Sequence, residues 1–388
     1  MATPMLRQGG RVCPPASARP TCAILGFMTL PSRVRRLAPA LLFGLFACGG
    51  GSGAADAGPD AALVDGAAPP SDAAMTDSAM TDSGVTDSGV VDGAPAPDGG
   101  VAMAPSLAGC PMFPADNPWN TDISGADVHP RSDAFIASMG AGTGLHPDFG
   151  APSMGAPNGI PYVVVGAGQP RVPMSFLYAD ESDPGPYPVP ADAPIEGGSA
   201  GDGDRHVLVL ETGSCTLYEL FDAYPDAGGW MAGSGAIWHL DMNEVRPEGW
   251  TSADAAGLAI LPGLVRYDEA VEAGEILHAL RVTVSGAQRA FIRPASHSDG
   301  RGGTDPNAPP MGLRLRLHAD FDVSSFAPEV QVMLRAMKRF GLMVADTGSD
   351  GYVTGVPDDR WNDDALHALG NVHMSDFDAV YTGDPIAY

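Results

Sequence analysis

The stretch Leu313-Arg314-Leu315-Arg316-Leu317-His318 alternates apolar and charged residues over six positions. Side chains of an extended strand point to opposite faces in turn. This register therefore predicts a half-buried strand with its leucines inward and Arg314, Arg316 and His318 outward. Seven more short apolar runs lie between glycines and prolines, at residues 162–165, 172–178, 206–210, 216–220, 276–284, 290–293 and 342–345. With 50 Gly and 37 Pro in 388 residues, chain-breaking signals are dense and long helices have little room. Helix signals cover residues 131–139 after His129-Pro130, residues 328–340 with Gly341 as a stop, and residues 363–369. The fold class implied is mainly β: an antiparallel β-sandwich or jelly-roll-like domain with a few peripheral helices.

Upstream of this pattern the chain changes character twice. Arg33, Arg35 and Arg36 precede an apolar run over residues 37–46, and Leu45-Phe46-Ala47-Cys48 resembles the lipobox of bacterial lipoprotein signals. Residues 1–48 are thus expected to be a signal peptide ending at a lipidated Cys48, with Met28 as an alternative start. The apolar run is shorter than the roughly 20 residues of a spanning helix, and an ordinary cleaved signal or an uncleaved anchor are the competing readings. In lipoprotein signals a Gly after the Cys, here Gly49, implies release to the outer membrane. The expected location is the cell envelope, lipid-anchored at the outer membrane or cell surface.

Residues 49–107 hold nine Asp and neither Lys nor Arg among Gly, Ala, Ser and Pro. So little apolar surface cannot offset the entropy of ordering, and an acidic disordered tether is expected. The repeats Thr76-Asp77-Ser78, Thr81-Asp82-Ser83 and Thr86-Asp87-Ser88 admit a calcium-binding reading, against which low-complexity drift is the simpler one. The tether resembles those of myxobacterial surface lipoproteins. Residues 108–388 then form a single extracellular domain, expected to be a monomer.

Charge and cysteine narrow the function classes. The formal net charge is −26; removing the six Arg that precede Cys48 from 21 basic residues leaves 15 against 47 acidic ones, or −32. Such a surface repels phosphate backbones and anionic headgroups, so nucleic acid is not an expected partner and a neutral polysaccharide is. Cys110 and Cys215 are the two cysteines left in the domain. In an oxidising compartment they are expected to form one disulfide, with a two-cysteine metal site as the lesser alternative. No cofactor or metal site is expected, apart from the question of a structural calcium.

Three clusters carry candidate chemistry. In the first, Asp180, Glu181, Asp183 and Glu196 lie in proline-stiffened loops, and Asp204-Arg205-His206 opens a strand. Rigid strand ends position side chains while glycine-rich loops admit substrate; the plain alternative is a loop brace. In the second, Trp230, Trp238 and Trp250 lie within 21 positions, either lining a sugar groove or filling core. Asp254, in a small-residue stretch beside them, suits an enclosed carboxyl held protonated as a general acid. In the third, the alternation Ile276, His278, Leu280, Val282 puts His278 on an apolar face, where a satisfied core histidine is the ordinary reading, and Arg281 on the opposite face. His297 lies in a loop. The sequence lacks a GxSxG elbow, an HExxH helix and a Walker loop.

The segments Asp116-Asn117-Pro118-Trp119-Asn120 and Gly203-Asp204-Arg205-His206, with residues 178–188, 257–268 and 340–350, resemble a family of exported bacterial proteins. The resemblance implies export and carries no catalytic residue onto these positions.

The resulting expectation is a glycoside hydrolase acting on a neutral extracellular polysaccharide. Its acid and base would come from Asp180, Glu181, Asp183, Glu196, Asp204 and Asp254, tuned by His206. Arg205, Tyr187, Trp230, Trp238, Trp250, His278 and Arg281 would hold substrate. A non-catalytic glycan-binding or adhesion lipoprotein is the alternative. A polysaccharide lyase using His206 or His278 with Tyr187 is a second.

Overall fold

Strands dominate the computed structural model, which describes residues 104–153 and 155–387. The lipobox, Cys48 and the three Thr-Asp-Ser repeats lie outside the described residues. Among those described, no helix is long and apolar enough to cross a membrane.

A six-stranded sheet runs in the order Phe377–Val380, Arg314–Leu317, Leu342–Thr347, Leu280–Val284, Tyr352–Thr354, His146–Asp148. A four-stranded sheet runs Ser234–His239, Thr216–Phe221, Val207–Glu211, Tyr162–Val165, and a three-stranded one runs Met174–Phe176, Gly229–Ala232, Tyr224–Asp226. Pairing is mixed. Leu342–Thr347 lies parallel to Leu280–Val284, and Tyr162–Val165 parallel to Val207–Glu211, where antiparallel neighbours were expected. Each of these parallel pairs is joined through long intervening chain, which in the first case includes the helix Pro328–Arg339.

The four-stranded sheet is buried on both sides. Leu208, Leu210 and Leu217 join the larger core, shared with Leu280, Val282, Leu315 and Val344 of the six-stranded sheet. Val207, Val209, Tyr218 and Leu220 face a second core with Trp230 and Tyr187. This double burial explains why Val207-Leu208-Val209-Leu210 reads as a continuous apolar run rather than an alternation.

The opening hexapeptide is a strand, Arg314–Leu317, but its arginines do not both face water. Arg314 is buried, and its guanidinium donates to the carbonyls of Pro118, at 2.5 Å, and Phe340. Arg316 caps the carbonyls of Ile123, Ser124 and Ala126. Free carbonyls of neighbouring segments thus draw in side chains that alternation alone assigns to solvent. The helix Pro328–Arg339 buries Val330, Met333, Leu334 and Met337 and stops at Gly341, whose φ of +78° needs no Cβ. Any Cβ there would meet the Leu315 carbonyl oxygen at 2.4 Å. Cys110 and Cys215 form a disulfide with Cα atoms 5.3 Å apart, which ties the first described segment to the turn between Val207–Glu211 and Thr216–Phe221.

Candidate functional site

Two cavities meet at Asp204, Asp346 and Thr347. The larger, of about 400 Å³, also touches Tyr178, Glu181, Phe221, Asp254 and His297; the smaller, of about 170 Å³, touches Asp148, Glu196, His206, Arg281 and Tyr352.

Asp346 reaches this junction through a register shift. Val282 faces Val344, yet Thr283 faces Asp346, so Ala345 is the extra residue of a bulge. A bulge re-aims the side chains that follow it. The run Leu342 to Ala345 is buried, whereas Asp346 keeps 21% of its side-chain surface accessible at the cavity wall. Its Oδ1 accepts the Thr347 N–H at 2.7 Å, and its Oδ2 lies 3.9 Å from Arg281 Nη2. Burial, reinforced by the charge of Asp254, pushes its pKa up to about 7 against the opposing pull of Arg281 and His206.

Asp254 lies behind that wall with 1% exposure. Oδ2 accepts Arg281 Nε at 3.1 Å and Nη2 at 2.6 Å, and Oδ1 accepts the Ala256 N–H at 2.8 Å. Burial pushes its carboxyl upward, opposed first by Arg281. Three donors converge on its two oxygens, an arrangement that suits the ionised form. Arg281 completes its fork by donating Nη1 to Thr354 Oγ1 at 2.9 Å. Asp254 and Arg281 therefore neutralise one another and leave Asp346 as the carboxyl with spare capacity.

His206 is also committed. Its Nδ1 lies 2.6 Å from Glu196 Oε2 and its Nε2 2.9 Å from the Ala253 carbonyl oxygen. A carbonyl can only accept, so Nε2 carries a proton; the carboxylate favours one on Nδ1 as well. Burial opposes the imidazolium, but Glu196 outweighs it and raises the pKa to about 9. Asp204 is the exposed residue at the mouth of this strand. Its neighbour Arg205 takes a left-handed φ of +50° and is buried. The Arg205 guanidinium donates to the carbonyls of Gly201 at 2.6 Å and Ala223 at 3.1 Å, so it braces the loop rather than binding substrate.

The remaining expected residues are dispersed. Asp180 is exposed and touches neither cavity. Asp183 accepts the Ile237 N–H and a donor from Arg246, whose position buries both roles in structure. Tyr187 is wholly buried, with its hydroxyl donating to the Asp183 carbonyl at 2.9 Å, and burial drives its pKa far upward. Trp230 and Trp238 are core, because they point inward from Gly229–Ala232 and Ser234–His239, and Trp250 packs half-buried against Arg246 at 5.4 Å. No tryptophan touches either cavity. His278 is fully buried, but it precedes the strand Leu280–Val284 and bridges Glu269 and the Ala279 carbonyl. Arg281 lines the smaller cavity, and its guanidinium is engaged by Asp254 at 2.6 Å with Asp346 at 3.9 Å.

Sequence reasoning passed over Asp346, Asp148 and Glu219. Glu219 is a fully buried carboxylate that accepts the N–H groups of Ile260 and Leu261, both at 2.9 Å, and Trp238 Nε1 at 3.1 Å. It pins the segment following Asp254 to the four-stranded sheet. A charged residue inside the apolar run 216–220 was the available signal. Among the described residues, no group of three or more His, Cys, Asp or Glu is arranged to hold a metal ion. No protein-family model matches the chain, and no curated protein or solved structure is significantly similar to it.

Proposed function

We propose that the domain is a glycoside hydrolase acting on a neutral extracellular polysaccharide, with Asp346 as general acid and Asp204 as the second carboxyl. The observation that carries this reading is the junction itself. Of the carboxyls that border these cavities, Asp204 and Asp346 line both, and burial pushes the pKa of Asp346 up to about 7. Glycosidic cleavage needs two carboxyls, because one protonates the departing oxygen while the other meets the positive charge developing on the sugar ring.

Other reaction classes find less support. Ser234, on the larger cavity, donates its hydroxyl to the Ser252 carbonyl at 2.6 Å, and both nitrogens of His206 are engaged by Glu196 and the Ala253 carbonyl, so these two do not form a nucleophile and base pair. A lyase base drawn from His206, His278 or Tyr187 is disfavoured by their burial and bonding. We take the six- and four-stranded sheets, which share one core, as the sandwich of the fold, and place the protein at the cell envelope through lipidation at Cys48.

The test is release of new reducing ends from β-glucan, amylose, galactomannan and xylan by the purified protein. Activity that falls at least 100-fold in Asp346→Asn and in Asp204→Asn, with folding retained, is the expected result, in line with the contribution of a positioned acid. Binding without turnover on any of these polymers would overturn the enzyme and leave a glycan-binding lipoprotein.

A further inference from the structure

The outer surface of the three-stranded sheet carries an apolar row that remains exposed among the described residues. Met231 stands directly opposite Tyr224 on one side and Ser175 on the other, so these three side chains share a face. Trp230 and Ala232 are buried while Met231 is 49% exposed, which makes that face the outward one. Leu177 follows two residues after Ser175 and is 73% exposed; Tyr224 is 38% exposed. The row crosses two interstrand gaps, or about 10 Å.

Tyr224 is held in place rather than merely exposed. The buried Arg205 guanidinium lies 4.3 Å from its ring centroid and packs against the ring. A ring oriented in advance loses little freedom when a ligand stacks on it. The row also joins the larger cavity. Tyr178, next to Leu177, lines that cavity, and its N–H donates to the Gly233 carbonyl beside Phe221, a second lining residue.

We propose that this row is an outer subsite for the polymer, along which a neutral polysaccharide extends from the cavity past Tyr178 to Leu177, Met231 and Tyr224. The proposal rests on the hydrolase reading above. Sugar rings offer apolar C–H faces with polar edges, which matches a tyrosine and aliphatic strip bordered by Asp222, Asp226 and Ser175. The net charge of −26 disfavours an anionic membrane or polymer as the occupant.

The experiment uses the full protein and Tyr224→Ala/Leu177→Ser, with affinity electrophoresis through gels containing β-glucan, amylose or galactomannan, run beside turnover of the polymer and of its disaccharide. The expected result is polymer retardation weakened about tenfold and a matching fall in the preference for polymer over disaccharide. Tyr224→Phe, which keeps the ring, is expected to retain both. Retardation lost with no turnover in either protein would keep the subsite and sink the hydrolase. Turnover whose polymer preference is unchanged in the double variant would sink the subsite and keep the hydrolase. Neither retardation nor turnover by the wild type would sink both.

Discussion

Two buried ionic clusters lie in this domain, and they use the same residue types to different ends. In one, Glu269 sits between Arg266 and His278, with His278 Nε2 at 3.1 Å, and the half-exposed Asp268 lies 3.3 Å from Arg266; two carboxylates meet two basic groups away from both cavities. Burial would raise the Glu269 carboxyl, but His278 and Arg266 hold it below the usual carboxylate range. In the other, Asp254, Asp346 and Glu196 meet Arg281 and His206 beside open space. There the cations are consumed by Asp254 and Glu196, and the third carboxyl is left with its proton. Buried charge is therefore not itself a mark of function. An excess of one sign facing a cavity is what sets the second cluster apart from the first.

The sharpest way to break the comparison is Glu269→Ala. It strands Arg266 without its buried partner and is expected to cost about 3–5 kcal/mol in denaturant unfolding. The pH profile of turnover should keep its shape; a displaced profile would mean that the two clusters are one. Asp254→Asn sharpens it from the other side. The change removes a negative charge from beside Asp346 and frees Arg281 to face it, so Asp346 gives up its proton more readily. The alkaline limb of turnover, expected near pH 7 in the wild type, should move down by about one unit. An immobile limb would remove Asp346 as the acid.

The smallest expected effect is on stability. A carboxyl whose folded pKa lies above its unfolded value stabilises the fold at low pH and loses that contribution as pH rises between about 4 and 7. Asp346→Asn is therefore expected to raise the melting temperature at pH 8 by about 2–4 °C, roughly 1 kcal/mol, and to leave it unchanged at pH 4. Gain of stability with loss of turnover is the pattern of a residue kept for chemistry. Equal melting temperatures at both pH values would show that Asp346 is not held protonated.

How much of this was legible in the sequence depends on how local each cause is. Strands such as Tyr162–Val165, Thr216–Phe221 and Arg314–Leu317, and the helix Pro328–Arg339, follow from periodicity and chain-breaking residues, and they fall where expected to within a few residues. The disulfide followed from counting. Asp254 as an enclosed carboxyl was also legible, because its small neighbours invite burial. Asp346 was not, since its orientation depends on a bulge set by pairing with the distant strand Leu280–Val284. The choice between groove and core for the tryptophans stayed open for a related reason. Trp230 and Trp238 are close in sequence and both inward, and only the placement of their strands decides what lies inward.

The Cys110–Cys215 bond also sets the path of mechanical load. Tension applied on the N-terminal side of Cys110 has a direct covalent path to Cys215, 105 positions along the chain, which bypasses the backbone of the residues between. Asp148, Glu196, Asp204 and His206 all belong to that bypassed loop. While the bond is intact, a pull on the leading segment is expected to strain the turn before Thr216–Phe221 and to leave these cavity residues unloaded. Reduction would place them in series with the force.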